Sequence, residues 1–295
     1  MKYILLMIIG LIWGSQYVLN TLALQDFSAF GLTAWRMSIG VLTLSLMILF
    51  IPSARKDKLQ LNKRLVTLFV LIGAVEAAIP FWLIGFGQMH VHSSVAAIIM
   101  GTIPMLTVLL ELTFKKGHRT SVYEVLGMTL AFIGLIVLVN PSAEDFAGAA
   151  IGYFAIFMAA FCFAIALILM EKIPKEVSPL HATRFILGVY ALPMIVYWML
   201  DSSTKIPTDP KSLAAVVAIG MFSSGIIYIL YLKLIRIAGP TFTSLSNYVV
   251  PLVGTFLGVW LLSEPFSLNI AISLLLIILG LVIANKKKRV KRQEG

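Results

Sequence analysis

The sequence predicts an all-α integral membrane protein of ten transmembrane helices, arranged as two inverted five-helix repeats. Three observations predict it. Of the 295 residues, 60% are hydrophobic and only 12% are charged, about half the charge of a soluble domain. Apolar runs follow one another along the chain, most of them long enough to cross a bilayer. Several distinctive residues recur about 147 positions apart.

The apolar runs place spans at about 3–24, 27–51, 65–87, 93–114, 121–139, 149–171, 178–200, 213–235, 240–262 and 267–285. The opening MKYILLMIIGLIWG has a lysine and then an apolar stretch, as a signal peptide does. It runs on without a small-residue cleavage site, so it reads as the first span. Only PSARKDKLQLNKR and DSSTKIPTDPKS are much longer than a turn, which predicts a compact antiparallel bundle.

Orientation follows from the basic residues. Nineteen Lys and Arg fall on one side of the predicted spans, two on the other (Lys205 and Lys211), and the remaining two, Arg36 and Arg184, inside spans. Basic loops stay in the cytoplasm, so both termini are expected there, in a multi-pass cell-membrane protein. The net charge of +10 is thereby explained as topology, with no nucleic-acid partner. The tail KKKRVKRQEG reads as the anchor of the last span.

With Arg36 on Arg184, Gly40 falls on Gly188; an offset of 147 puts Pro104 on Pro251, and 146 puts Gly134 on Gly280. The chain therefore divides into a first repeat at 1–140, a second at 149–285 and a basic cytoplasmic tail at 286–295. Five is odd, so the second copy enters from the opposite side. Inverted repeats of this kind are typical of secondary transporters, whose site lies near the midplane between the halves.

The stretches IWGSQYVLN, TAWRMSIG, SSVAAIIMGTIPMLTVLLEL and SLSNYVVPLVGTFLGVWLLSEPFS resemble the drug/metabolite transporter superfamily, specifically its EamA-type branch. The resemblance implies two EamA-like repeats and export of amino acids or other small metabolites by alternating access. The alternatives are a carrier for another substrate class, such as a nucleotide sugar or a drug-like cation, and a non-transporting membrane-embedded protein. A nucleotide sugar would call for several deep Lys or Arg, and only two arginines lie deep. No GxxxxGK[ST], HExxH or GxSxG stands in the chain, so no enzyme and no cofactor are expected.

Charged groups at bilayer depth usually face a cavity or a partner. Glu76 falls at the centre of its span. Arg36 lies roughly 5 Å outward and Arg184 roughly 7 Å inward of theirs. Arg36 and Glu76 have opposite signs at similar depth, either as a tie between two helices or as a functional pair in which Glu76 answers to protons, the candidate coupling ion. The repeat counterpart of Glu76 is Ser223, so Arg184 has no matching acid; it either binds a substrate carboxylate or snorkels. Trp13, Gln16 and Asn20 share one face of the first span. With Trp82, Tyr228, Ser244, Asn247 and Tyr248 they are candidates to line a cavity for a small-molecule substrate, or to bond between helices. Pro80, Pro104 and Pro251 fall within spans, where proline frees backbone and permits a kink. His90 and His92 read as turn residues and Cys162 as packing. No Cys/His cluster offers a metal site. For Glu264, in WLLSEPFS, the family resemblance implies a structural role in helix-end hydrogen bonding.

Overall fold

A computed structural model describes residues 1–52, 54, 57, 59–114, 122–139, 146–201 and 207–284. The predicted basic tail at 286–295 and most of the loop around 115–121 lie outside them.

The described chain is helical. Helix α1 is Lys2–Ala23 and α2 is Ala29–Phe50. Helix α3 runs Lys63–Gln88 through a π-helical turn at Ala74–Ala78. Helix α4 has two segments, Ser93–Met100 and Ile103–Phe114. Helix α5 is Val122–Val139, α6 is Phe146–Glu171 and α7 is Pro179–Leu200. Helix α8, Pro210–Ala238, contains a second π-helical stretch at Ile219–Ile226. Helix α9, Pro240–Leu262, contains a 3-10 turn at Leu245–Tyr248, and α10 is Leu268–Ala284. Eight of these are long and apolar enough to cross a membrane, and α10 contributes a shorter apolar helix.

Local chemistry sets the boundaries. Ser28, Asn62 and Asp209 each accept a bond from the third residue onward, from Gly31, Leu65 and Ser212, which satisfies a donor that a helix start leaves free. Gly239 turns α8 into α9 at φ +81°, a conformation glycine adopts without a Cβ penalty.

The outer surface is apolar: Leu42, Phe50, Phe154, Leu192, Leu200 and Phe256 are all exposed. The interior holds Gln16, Asn20, Arg36 and Glu76 in burial. In water this distribution would be unfavourable; in lipid it is the expected one, because polar groups are stable only where protein meets them.

Contacts between the two halves are reciprocal. Helix α2 packs on α7, α4 on α9 and α5 on α10. Likewise α1 meets α9 as α6 meets α4, α1 meets α8 as α6 meets α3, and α2 meets α8 as α7 meets α3. Exchanging each helix for the one five places along leaves this set of contacts unchanged. The helix interruptions obey the same exchange. The π turn of α3 and that of α8 fall at matching positions, as do the break in α4 and the 3-10 turn in α9.

Candidate functional site

A cleft lies between the halves. Trp13, Gln16 and Tyr17 of α1, Phe81 of α3, and Met100 and Ile103 at the break of α4 line one side. Phe163 of α6, Tyr231 of α8 and Asn247 of α9 line the other. The space left between them is about 10 Å³, room for about one water molecule. Trp13 packs edge-on against Tyr231 and Tyr228, with ring centroids 4.5 and 5.9 Å apart. Polar groups therefore project into a mostly aromatic wall, the usual composition of a small-molecule site.

Arg36 stands behind this wall. Its Nε donates to Ser224 Oγ and its Nη2 to Gln16 Oε1, both at 2.9 Å. The guanidinium lies 3.8 Å from the centroid of the Phe81 ring. This is the fork-and-plane geometry that distinguishes arginine from lysine, and it joins α1, α2, α3 and α8. Nη1 has no bonding partner among the described residues.

Arg36 and Glu76 do not pair: the guanidinium turns to Ser224 and Gln16 instead. Glu76 is fully buried in the π turn of α3, and its carboxyl oxygens have no hydrogen-bond partner among the described residues. The nearby Tyr228 hydroxyl gives its single hydrogen to the Glu76 backbone carbonyl at 3.1 Å, so toward the carboxyl it has only lone pairs to offer. In the other half, the Trp13 indole donates to the backbone carbonyl of Ser223 at 3.3 Å. The Glu76 carbonyl has no i+4 donor, because Pro80 carries no N–H; at both π turns, which depart from regular i to i−4 bonding, an aromatic side chain donates to a backbone carbonyl.

The remaining sequence candidates divide. Tyr228 is buried next to Trp13, and Tyr248 is buried in the core, while Ser244 bonds locally to Thr241 O and accepts from Asn247 Nδ2. Asn20 ties α1 to α3 through Gln88 Oε1 at 2.9 Å and is not among the cleft residues. Trp82 lies outside the cluster, 42% exposed and stacked on Phe86. Arg184 is also exposed. Sequence reasoning passed over Ser224, Phe81, Phe163 and Tyr231. The first sits beside Ser223, the counterpart of Glu76, which was the available signal; for the aromatic residues only the apolar pattern spoke.

The sequence pattern of the EamA-like transporter family matches residues 1–140 and 150–286, one copy on each half. The chain belongs to the EamA-like transporter family. It is therefore a multi-pass membrane protein of a transporter family, not an enzyme. Among its relatives is the uncharacterized transporter YyaM of Bacillus subtilis (strain 168), 26% identical, covering 98% of this chain and 95% of YyaM. The uncharacterized inner membrane transporter YedA of Escherichia coli (strain K12) is 25% identical, covering 87% and 81%. A solved crystal structure of a protein aligns with a TM-score of 0.70 at 20% identity, over 100% of this chain and 99% of the other, which is a likeness of fold. This EamA-like chain thus pairs two family copies with a cleft built from both.

Proposed function

We propose that this protein is a secondary transporter of ten spanning helices in two inverted five-helix repeats, with both termini in the cytoplasm. It exports amino acids or other small metabolites by alternating access. The observation that carries this reading is the reciprocal packing of the halves around a shared cleft. Two similar halves of opposite orientation can exchange conformations, and the exchange turns an inward opening outward. The 19 to 2 division of basic residues supports the orientation.

The proposed cavity residues are Trp13, Gln16, Asn247, Tyr228 and Tyr231, with Ser244 and Tyr248 beside them. Arg36 supplies the positive charge behind Gln16. Arg36, the one buried arginine among the described residues, suits one carboxylate better than the paired phosphates of a nucleotide sugar. The candidate coupling ion is a proton, carried by Glu76. An ionised carboxyl without a partner is costly in an apolar interior, and the Tyr228 hydroxyl, its hydrogen given to the Glu76 backbone carbonyl, has none left to donate to that carboxyl.

Counterflow in proteoliposomes tests the reading. Vesicles loaded with an unlabelled amino-acid pool should accumulate labelled amino acids transiently, and empty liposomes should not. Absence of exchange across amino acids and small organic acids would remove the transport assignment.

A further inference from the structure

The pair α4 and α9 bears features that the transport reading alone does not use. The two helices run antiparallel: the last segment of α9 packs on the first segment of α4, and the first segment of α9 on the last of α4. Both are interrupted where they pass the cleft. Helix α4 breaks at Gly101–Thr102, and α9 tightens into its 3-10 turn at Leu245–Tyr248. Each resumes with a proline in its first turn, Pro104 and Pro251. Met100, Ile103 and Asn247, at or beside these interruptions, line the cleft.

Each end of this pair is fastened by a glutamate. At one end Ser263 takes a left-handed conformation at φ 53° and turns the chain back. Glu264 then reaches the start of α4. Its Oε1 accepts from Ser93 N at 2.8 Å and Ser93 Oγ at 2.6 Å, and its Oε2 from Ser94 N at 3.0 Å. Gly258 makes room, since a Cβ there would meet Glu264 Oε2 at 2.5 Å. At the other end Thr241 Oγ1 donates to Glu111 Oε2. At the 147-residue offset Ser94 corresponds to Thr241. In each case the glutamate closing one helix holds the start of the other.

We propose that these are two alternately released gates, with Glu264–Ser93–Ser94 closing the external end of the cleft and Glu111–Thr241 the cytoplasmic end. The interruptions at 101–102 and 245–248 are the hinges. Both gates are shut here, and the cleft is correspondingly narrow. Releasing one gate lets the outer segments of α4 and α9 part on that side while the other end stays fastened. The inference rests on the transport reading for which end faces outward. It assigns Glu264, Ser93, Glu111 and Thr241 as positioning residues that do not touch substrate.

Side-specific accessibility tests the gates without any substrate, so its outcome is separate from that of counterflow. In a Cys162→Ala background, Asn247→Cys reports on the cleft. A membrane-impermeant maleimide is applied to right-side-out and to inverted vesicles. Glu264→Gln should speed labelling in right-side-out vesicles by roughly an order of magnitude, the scale of losing one charge-assisted hydrogen bond, and leave inverted vesicles near the parent rate. Thr241→Val should do the reverse. If Glu264→Gln fails to insert, Ser93→Ala keeps both backbone bonds and should give a smaller change on the same face. Equal acceleration on both faces, or no change in any variant, would reduce these contacts to helix caps and overturn the proposal.

Discussion

Glu76 and Ser223 occupy the same place in the two halves, and each has its backbone carbonyl capped by an aromatic side chain from the opposite half. Tyr228 of the second half donates to Glu76, and Trp13 of the first donates to Ser223. Both carbonyls lie in π turns, where one inserted residue disturbs the helical ladder. At membrane depth water is not available to complete such carbonyls, so side chains must. The crossed arrangement ties each irregular turn to the other half, and the two irregular turns flank the cleft.

Tyr228→Phe keeps the ring and removes only the donor. It should lower stability by about 1–2 kcal/mol, the usual penalty for stranding a buried acceptor. Thermal unfolding in a fixed detergent measures the loss. Trp13→Phe should cost more, because it also shrinks the edge-on contacts with Tyr228 and Tyr231. Equal stability of Tyr228→Phe and the parent would mean the carbonyl is satisfied elsewhere.

Arg36 and Arg184 align in the repeat but should behave differently. Arg36→Lys keeps the charge and loses the fork that reaches Ser224 and Gln16 together, along with the planar contact on Phe81. Counterflow by Arg36→Lys should fall at least about tenfold, with expression retained, since the loss is of two charge-assisted bonds. Arg184→Ala, at an exposed position, should exchange at close to the parent rate. A reversed ranking would move the site toward α7.

Glu76→Gln tests the proton assignment. Glutamine has the shape of the protonated acid and cannot ionise. If Glu76 carries the coupling proton, the variant should still exchange substrate at equal pH on both sides, while an imposed pH gradient no longer drives net accumulation. Glu76→Asp should keep some gradient response. Gradient-driven accumulation by Glu76→Gln equal to the parent would assign the coupling elsewhere.

The helices were legible in the sequence because the bilayer demands long apolar runs and the breakers between them are polar. The matching of Glu76 with Ser223 was legible too, from the offset alone. What did not follow was the facing of side chains beyond the π turns. One extra residue rotates the rest of a helix by roughly 100°, so face-counting from Glu76 fails further along α3. Hence Phe81 reaches the cleft while its neighbour Trp82 is exposed. The expected Arg36–Glu76 pairing fails for a related reason. Similar depth does not bring two residues together, and the face of α2 that carries Arg36 meets α1 and the π turn of α8, where Ser224 waits.

Glu264 gives the external end of α4 a pH dependence whose sign can be worked out. Burial alone would raise its carboxyl, but the bonds from Ser93 and Ser94 outweigh burial and hold it below the ordinary carboxylate range. A group whose folded-state value is depressed stabilises the fold above its unfolded value and loses that contribution as pH falls through the folded one. At neutral pH the parent should therefore melt higher than Glu264→Gln, which keeps the shape but loses the charge-assisted bonds. Acidification below the normal carboxylate range should shrink the difference, because the parent then becomes a neutral acid with weaker bonds to Ser93 and Ser94. The same titration weakens the fastening of α4 to α9, so the Asn247→Cys reporter should open toward the outside over that acidic range in the parent, and show no such step in Glu264→Gln. A melting difference that stayed constant from neutral to acid pH would show that charge on Glu264 contributes nothing to the contact.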